Sequence, residues 1–183
     1  MPSIVVLAGS PSATSRTAAV LDLLALRLTG HGHDVRVVSI RELPPGPLLA
    51  ADTHHPAISD VVEAVAAARG LIVASPVYKA AYTALLKAFL DILPQYALAG
   101  KTVLPLVTGG TPAHVLALDY ALRPVLASMG AHVGQGYFVL DQLINVGSGT
   151  GPTLAPAAER PLLGIVDAFS VAVASFRPVT VTV

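Results

Sequence analysis

Residues 71–90 read LIVASPVYKAAYTALLKAFL. Leu71 to Ala74 are apolar without a break, and Ser75 ends the run. Such a run, bounded by a turn, suits a strand buried on both faces rather than one with a wet side. Pro76 stiffens the turn that follows. Tyr82, Leu85, Leu86, Phe89 and Leu90 then recur at three-or-four spacing, which is the apolar stripe of a helix, ended by Pro94. A doubly buried strand feeding directly into a helix is the building unit of a parallel α/β sheet.

The same unit recurs outward in both directions. Further strands are predicted at residues 3–8, 34–40, 102–108 and 132–139, with this one at 71–75. Helical stripes lie between and after them. Val20, Leu21, Leu24 and Leu28 form one, and Ile58, Val61, Val62 and Val65 another. Val115, Leu118, Leu122 and Leu126 form a fourth helix, and Leu162, Val166, Phe169 and Val173 a fifth. Five such units predict an α/β, doubly wound, five-stranded parallel sheet with the flavodoxin-like strand order 2-1-3-4-5. Residues 1–178 are expected to form one domain and 179–183 a C-terminal tail. Two long loops stand out, at 44–56 and 141–156, the second rich in glycine.

Bulk composition narrows the function. The chain has 183 residues, 54% of them apolar and only 12% charged. That apolar balance suits a chain with part of its apolar surface covered by another subunit. Lys+Arg and Asp+Glu are both 11. Nothing in that balance suggests nucleic acid or an anionic membrane as partner. Cysteine is absent, which excludes disulfides, thiolate catalysis and cysteine-ligated metals. The N-terminus lacks a basic segment, and the longest uncharged stretches, 102–118 and 124–140, are broken by Gly, Pro or polar residues. A cytoplasmic protein with no membrane span is expected.

Ligands of open parallel sheets bind beyond the carboxyl ends of the strands, so the loops there carry the chemistry. After the first strand come Gly9, Ser10, Pro11, Ser12, Ala13, Thr14, Ser15, Arg16 and Thr17. This loop is rich in hydroxyls, Ser15 is placed to cap the next helix, and free helix amides beside Arg16 suit a phosphate. Neither a Walker lysine nor GxGxxG spacing is present. After the third strand, backbone amides in the turn that Pro76 stiffens can hydrogen-bond a flat heterocycle, with Tyr78 or Tyr82 against its face. Taken alone, this loop reads better with both tyrosines as packing residues and Lys79 as a solvated charge. After the fourth strand, Thr108, Gly109 and Gly110 allow close backbone approach, and His114 either donates to a ligand carbonyl or caps local polar groups. Together the three loops describe a pocket for flavin mononucleotide (FMN) better than one for an adenine dinucleotide.

The segments Leu7 to Pro11 with Ser15 and Arg16, Leu71 to Tyr82, and Leu104 to Thr111 with His114 resemble, in order, the flavin loops of the NAD(P)H-dependent FMN reductase family. The likeness is greatest to the reductases of two-component alkanesulfonate monooxygenase systems and covers residues 3–140. The resemblance implies hydride transfer from NADPH or NADH to FMN, and delivery of reduced flavin to a separate monooxygenase that releases sulfite from sulfonates. It implies that Ser10, Ser15, Arg16 and Thr17 hold the phosphate, with Ser12 a further cofactor-binding candidate in the same loop. Pro76, Val77, Tyr78 and Lys79 would border the ring, with Thr108, Gly109, Gly110 and His114 at its other edge. Many members carry arginine where this chain has Ser12, which leaves Arg16 as the main phosphate charge.

Pro124 lies inside the fourth helical stripe and has no N–H for the Tyr120 carbonyl. A kink or π-bulge near Tyr120 follows. The two-component subfamily is known for an inserted tyrosine and π-helix in this helix, and Asp119 to Pro124 is similar. Tyr120 is therefore expected at an oligomer interface near the flavin. No acid or base is assigned, because hydride transfer needs the two rings held together rather than a protein nucleophile. Arg16, Lys79 and Arg123 are the candidate cations for a nucleotide 2′-phosphate. Asp52, His54 and His55 do not form a convincing metal set. An alternative keeps the fold but not the role: a quinone- or azo-type reductase with tightly bound FMN.

Overall fold

The computed structural model describes residues 3–147 and 151–175. The expected tail at 179–183 and Gly149 of the glycine-rich loop lie outside them. Strands β1 (Ile4–Ala8), β2 (Val35–Ser39), β3 (Gly70–Pro76) and β4 (Thr102–Gly109) pair in parallel with β5 (His132–Val133) in the order β2-β1-β3-β4-β5. The doubly wound, flavodoxin-like order read from the sequence is present.

Side chains alternate to the two faces along each strand. Val5, Leu7, Leu71, Val73, Val103 and Val107 pack with α3 (Pro56–Ala67), α4 (Ala84–Ile92) and α5 (Arg123–Ser128). Ile4, Val6, Ile72, Ala74, Leu104 and Leu106 pack on the other face with α1 (Arg16–Gly30) and α6 (Pro156–Ser175). These strand residues are essentially sealed from water, which is why their sequence reads as apolar runs rather than as alternation.

Three expectations need correction. The fifth strand is not continuous over 132–139. It splits into β5 and β6 (Tyr137–Leu140), both paired with β4. Val103 faces Val133 and Leu106 faces Tyr137, so three residues of the edge strand span two of β4. That is the count of a bulge, and it falls opposite Pro105, which has no N–H for a ladder. Secondly, the fourth helix is composite: a 3-10 turn (Pro112–Val115), a π-helical turn (Leu118–Leu122) and then α5. The Arg123 amide donates to the Leu118 carbonyl, five residues back, and Pro124 follows inside the first turn of α5, where a missing N–H costs little. Thirdly, the two long loops hold structure. Residues 44–56 contain the short helix α2 (Pro45–Leu49). Residues 141–156 contain a 3-10 turn (Asp141–Leu143) and a two-stranded hairpin of β7 (Ile144–Asn145) and β8 (Thr153–Leu154). No helix among the described residues is long and apolar enough to cross a membrane.

Candidate functional site

The three loops converge because buried polar contacts bind them together. The Gly9 amide donates to the Ala74 carbonyl of β3 at 2.8 Å. The Thr83 hydroxyl, which caps α4, donates to the Gly9 carbonyl. Gly9 is required there, since a Cβ would lie 2.7 Å from Leu86 Cβ. Thr17 and Thr108 share a buried hydroxyl–hydroxyl bond of 2.7 Å, joining the first loop to the third. The Val77 amide donates to the Thr108 carbonyl at 2.8 Å, joining the second to the third.

Between them lies an open cleft of about 350 Å³, within the size range of small-ligand sites. Ser10, Ser12, Thr14, Ser15, Arg16 and Thr17 form one side, and Pro76, Tyr78 and Thr108 the other. Ser15 caps α1 by accepting from the Ala18 amide at 3.3 Å, as expected. The Ala19 amide goes to the Ser15 carbonyl. The first amides of the helix, on Arg16 and Thr17, are then left for a ligand. Arg16 makes no ion pair or hydrogen bond with a described residue, so its forked cation is available to an anion.

The second loop is strained. Lys79 and Ala80 both have positive φ, 51° and 63°, and Tyr78 and Ala81 exchange backbone hydrogen bonds of 2.9 and 3.1 Å across them. This is the arrangement of a type I′ turn, normally made with Asn or Gly. Each L-residue held left-handed costs about 1–2 kcal/mol. Strain of this kind collects at binding sites. The turn leaves Tyr78 exposed on the cleft wall, at 52%. Tyr82 instead packs against the core, and burial raises its phenol above the ordinary value. Of the two tyrosines, Tyr78 is the one that lines the cleft.

Not every residue singled out reaches the wall. Val77 is buried, and Lys79, Gly109, Gly110 and His114 stand beside the cleft rather than lining it. His114 Nδ1 is buried without a hydrogen-bond partner among the described residues, pressed against Gly109. Arg123 is engaged elsewhere: it pairs with Asp119 at 2.8 Å and donates to the Gly134 carbonyl at 3.0 Å. Tyr120 lies on the π-turn at 79% exposure, near exposed Val115 and Leu116. His55 caps α3 through Nδ1, and Asp52 accepts from the His54 amide. Two wall residues were missed, Asp141 and Val146. Asp141 directly follows the fifth strand, so the rule that ligands sit beyond carboxyl ends would have found it.

The residues fit a flavin mononucleotide. A helix N-terminus, hydroxyls and one arginine suit a phosphate, while a tyrosine beside a left-handed turn suits a flat ring. Comparison with known proteins agrees. The family model described as NADPH-dependent FMN reductase matches residues 2–144. The chain is 42% identical over 173 residues to an FMN reductase (NADPH) of Pseudomonas putida KT2440, covering 93% of this chain and 88% of the relative. It is 45% identical over 142 residues to an FMN reductase (NADPH) of Escherichia coli K12, covering 77% and 74%. A solved NADH:FMN oxidoreductase (EMOB) in its apo form superposes with a TM-score of 0.88 at 44% identity, covering 96% of this chain and 91% of that one. The chain therefore belongs to the NADPH-dependent FMN reductase family and is an NAD(P)H:FMN oxidoreductase built on a flavodoxin-like sheet.

Proposed function

We propose that this chain uses FMN as a substrate rather than a fixed cofactor, and supplies it in reduced form to a separate flavin-dependent monooxygenase, in the assimilation of sulfur from sulfonates. The observation that carries this reading is the π-helical turn at Leu118–Leu122 with Tyr120 projecting from it, the feature by which the chain resembles two-component reductases. The cleft supports it. Among the described residues one cation, Arg16, lines it, a weak hold for a dianionic phosphate next to sites built with several.

In this reading Ser10, Ser12, Ser15, Arg16 and Thr17 hold the phosphate, with the α1 dipole favouring its charge. Pro76, Val77, Tyr78 and Lys79 border the ring, and Thr108, Gly109 and Gly110 its other edge, with His114 fixing the shape of that edge. Flavin, when bound, supplies the hydride-accepting ring; the chain's part is to hold it flat and leave one face open to the nicotinamide. Tyr120, Leu116 and Val115 form the face that a second subunit covers in a homodimer or homotetramer.

The deciding experiment is nucleotide oxidation at 340 nm on dialysed protein, with NADPH and then NADH, with and without added FMN. Oxidation that requires free FMN and saturates with it is the expected result. Protein that stays yellow and oxidises nucleotide only when a quinone or azo dye is added would replace this reading with a bound-flavin reductase.

A further inference from the structure

We infer that Asp141 recognises the flavin ring by accepting a hydrogen bond from its N3–H, and so selects an isoalloxazine unsubstituted at that nitrogen. The inference rests on the FMN placement proposed above. Asp141 opens the 3-10 turn that follows β6, so its carboxylate stands at the carboxyl end of the sheet, on the cleft wall. Its backbone carbonyl accepts from the Ile144 amide, but its carboxylate makes no hydrogen bond or ion pair with any described residue. Arg16, on the same wall system, is not its partner. An ionised carboxylate is an acceptor only, so the group it can pair with in the cleft is a ligand donor.

Gly110 leaves the way to it open. A Cβ at residue 110 would meet only Asp141 Oδ2, at 3.8 Å, an ordinary contact, and the backbone there is not left-handed. Neither packing nor conformation demands glycine at 110. Its effect is to keep the space in front of the carboxylate clear, as Gly109, pressed against His114 and Phe138, does not.

The donors FMN can offer are few. Its phosphate presents acceptors and belongs at the start of α1. The ribityl hydroxyls lie between phosphate and ring. The oxidised ring has one N–H, at N3, flanked by two carbonyls. Asp141 stands beside Gly110, at the ring edge rather than the phosphate end, and N3–H is the donor at that edge.

The test is a titration by flavin fluorescence quenching, without nicotinamide nucleotide, of the parent chain, Asp141→Ala and Asp141→Asn with FMN and with 3-methyl-FMN. The parent should bind FMN about tenfold or more tightly than 3-methyl-FMN, the size of one charge-assisted bond. In Asp141→Ala the two flavins should bind within about twofold. Asp141→Asn keeps an acceptor oxygen without the charge and should show an intermediate ratio. No preference in the parent, or the same ratio in the parent and Asp141→Ala, overturns the inference. So does a full parental ratio in Asp141→Asn, which would mean crowding rather than recognition. Riboflavin and Arg16→Ala separate this from failure of the placement itself. If FMN lies as proposed, Arg16→Ala weakens FMN and leaves riboflavin unchanged; equal FMN binding in Arg16→Ala refutes the placement whatever Asp141 does.

Discussion

Gly9→Ala should unfold this chain at a distinctly lower temperature, because the first loop reaches its place only by passing α4 without a side chain. A Cβ at residue 9 would sit 2.7 Å from Leu86 Cβ and 3.0 Å from the Ala74 carbonyl oxygen. Carbon atoms rest about 3.5–4.0 Å apart, so roughly 1 Å must be found. Neither neighbour can swing aside. Leu86 Cβ is fixed to the backbone of α4, and the Ala74 oxygen is held in β3, where it accepts from the Gly9 amide. The Thr83 hydroxyl pins the Gly9 carbonyl from the other side. Overpacking costs about 1–3 kcal/mol, and with rigid atoms on two sides the upper end is expected. For a chain of this size that is a fall of about 6–12 °C in Tm. Gly164→Ala in α6 is the control. Its Cβ meets nothing within 4 Å, so removing a helical glycine should stabilise by about 0.5–1 kcal/mol. Thermal unfolding followed by circular dichroism reads both. A Gly9→Ala variant melting within about 2 °C of the parent would refute the argument that close packing of loop against helix places the cleft.

Thr108→Val orphans the buried Thr17 hydroxyl and should cost about 1–3 kcal/mol in urea unfolding; the Thr17→Val, Thr108→Val double variant should cost less than the sum of the singles, since no unpaired hydroxyl remains. Hydrogen bonding from the Arg27 guanidinium, at 2.6 and 2.7 Å, holds the Asp167 carboxyl below its ordinary range. A depressed folded value means stability that is complete above the unfolded value near ~3.9 and lost as pH falls through the lower folded one. The Tm gap between parent and Asp167→Asn should therefore be present at pH 7 and close below about pH 4, and a gap independent of pH would contradict the assignment; both side chains are over a third exposed, so solvent screens the pair and the gap should be small. Tyr120→Ala should lower the assembly state in light scattering and purify with more bound FMN than the parent; a variant unchanged in both respects would remove Tyr120 from the interface and from control of flavin release.

Part of the site was legible because its logic is local. Ser15 precedes a helix and caps it, and Pro124 removes one N–H, so the helix before it relaxes into a π-turn. Ligand walls formed by distant segments were not legible. Whether Tyr78 or Tyr82 meets a ligand depends on the left-handed turn at Lys79 and Ala80, and nothing in those residue types announces it, since neither is glycine or asparagine. Arg123 looked like a free cation and is instead tied to Asp119 and the Gly134 carbonyl.

The sequence by itself determined the doubly wound sheet, its strand order and the three loops at its carboxyl edge, because burial on both faces writes an apolar run and a helix writes its period. Only the tertiary structure decided which side chains from those loops share one cleft and that the fifth strand breaks opposite Pro105. Those outcomes turn on distances between segments far apart in the chain. Such distances are set by how the packed layers meet, and no single segment encodes them.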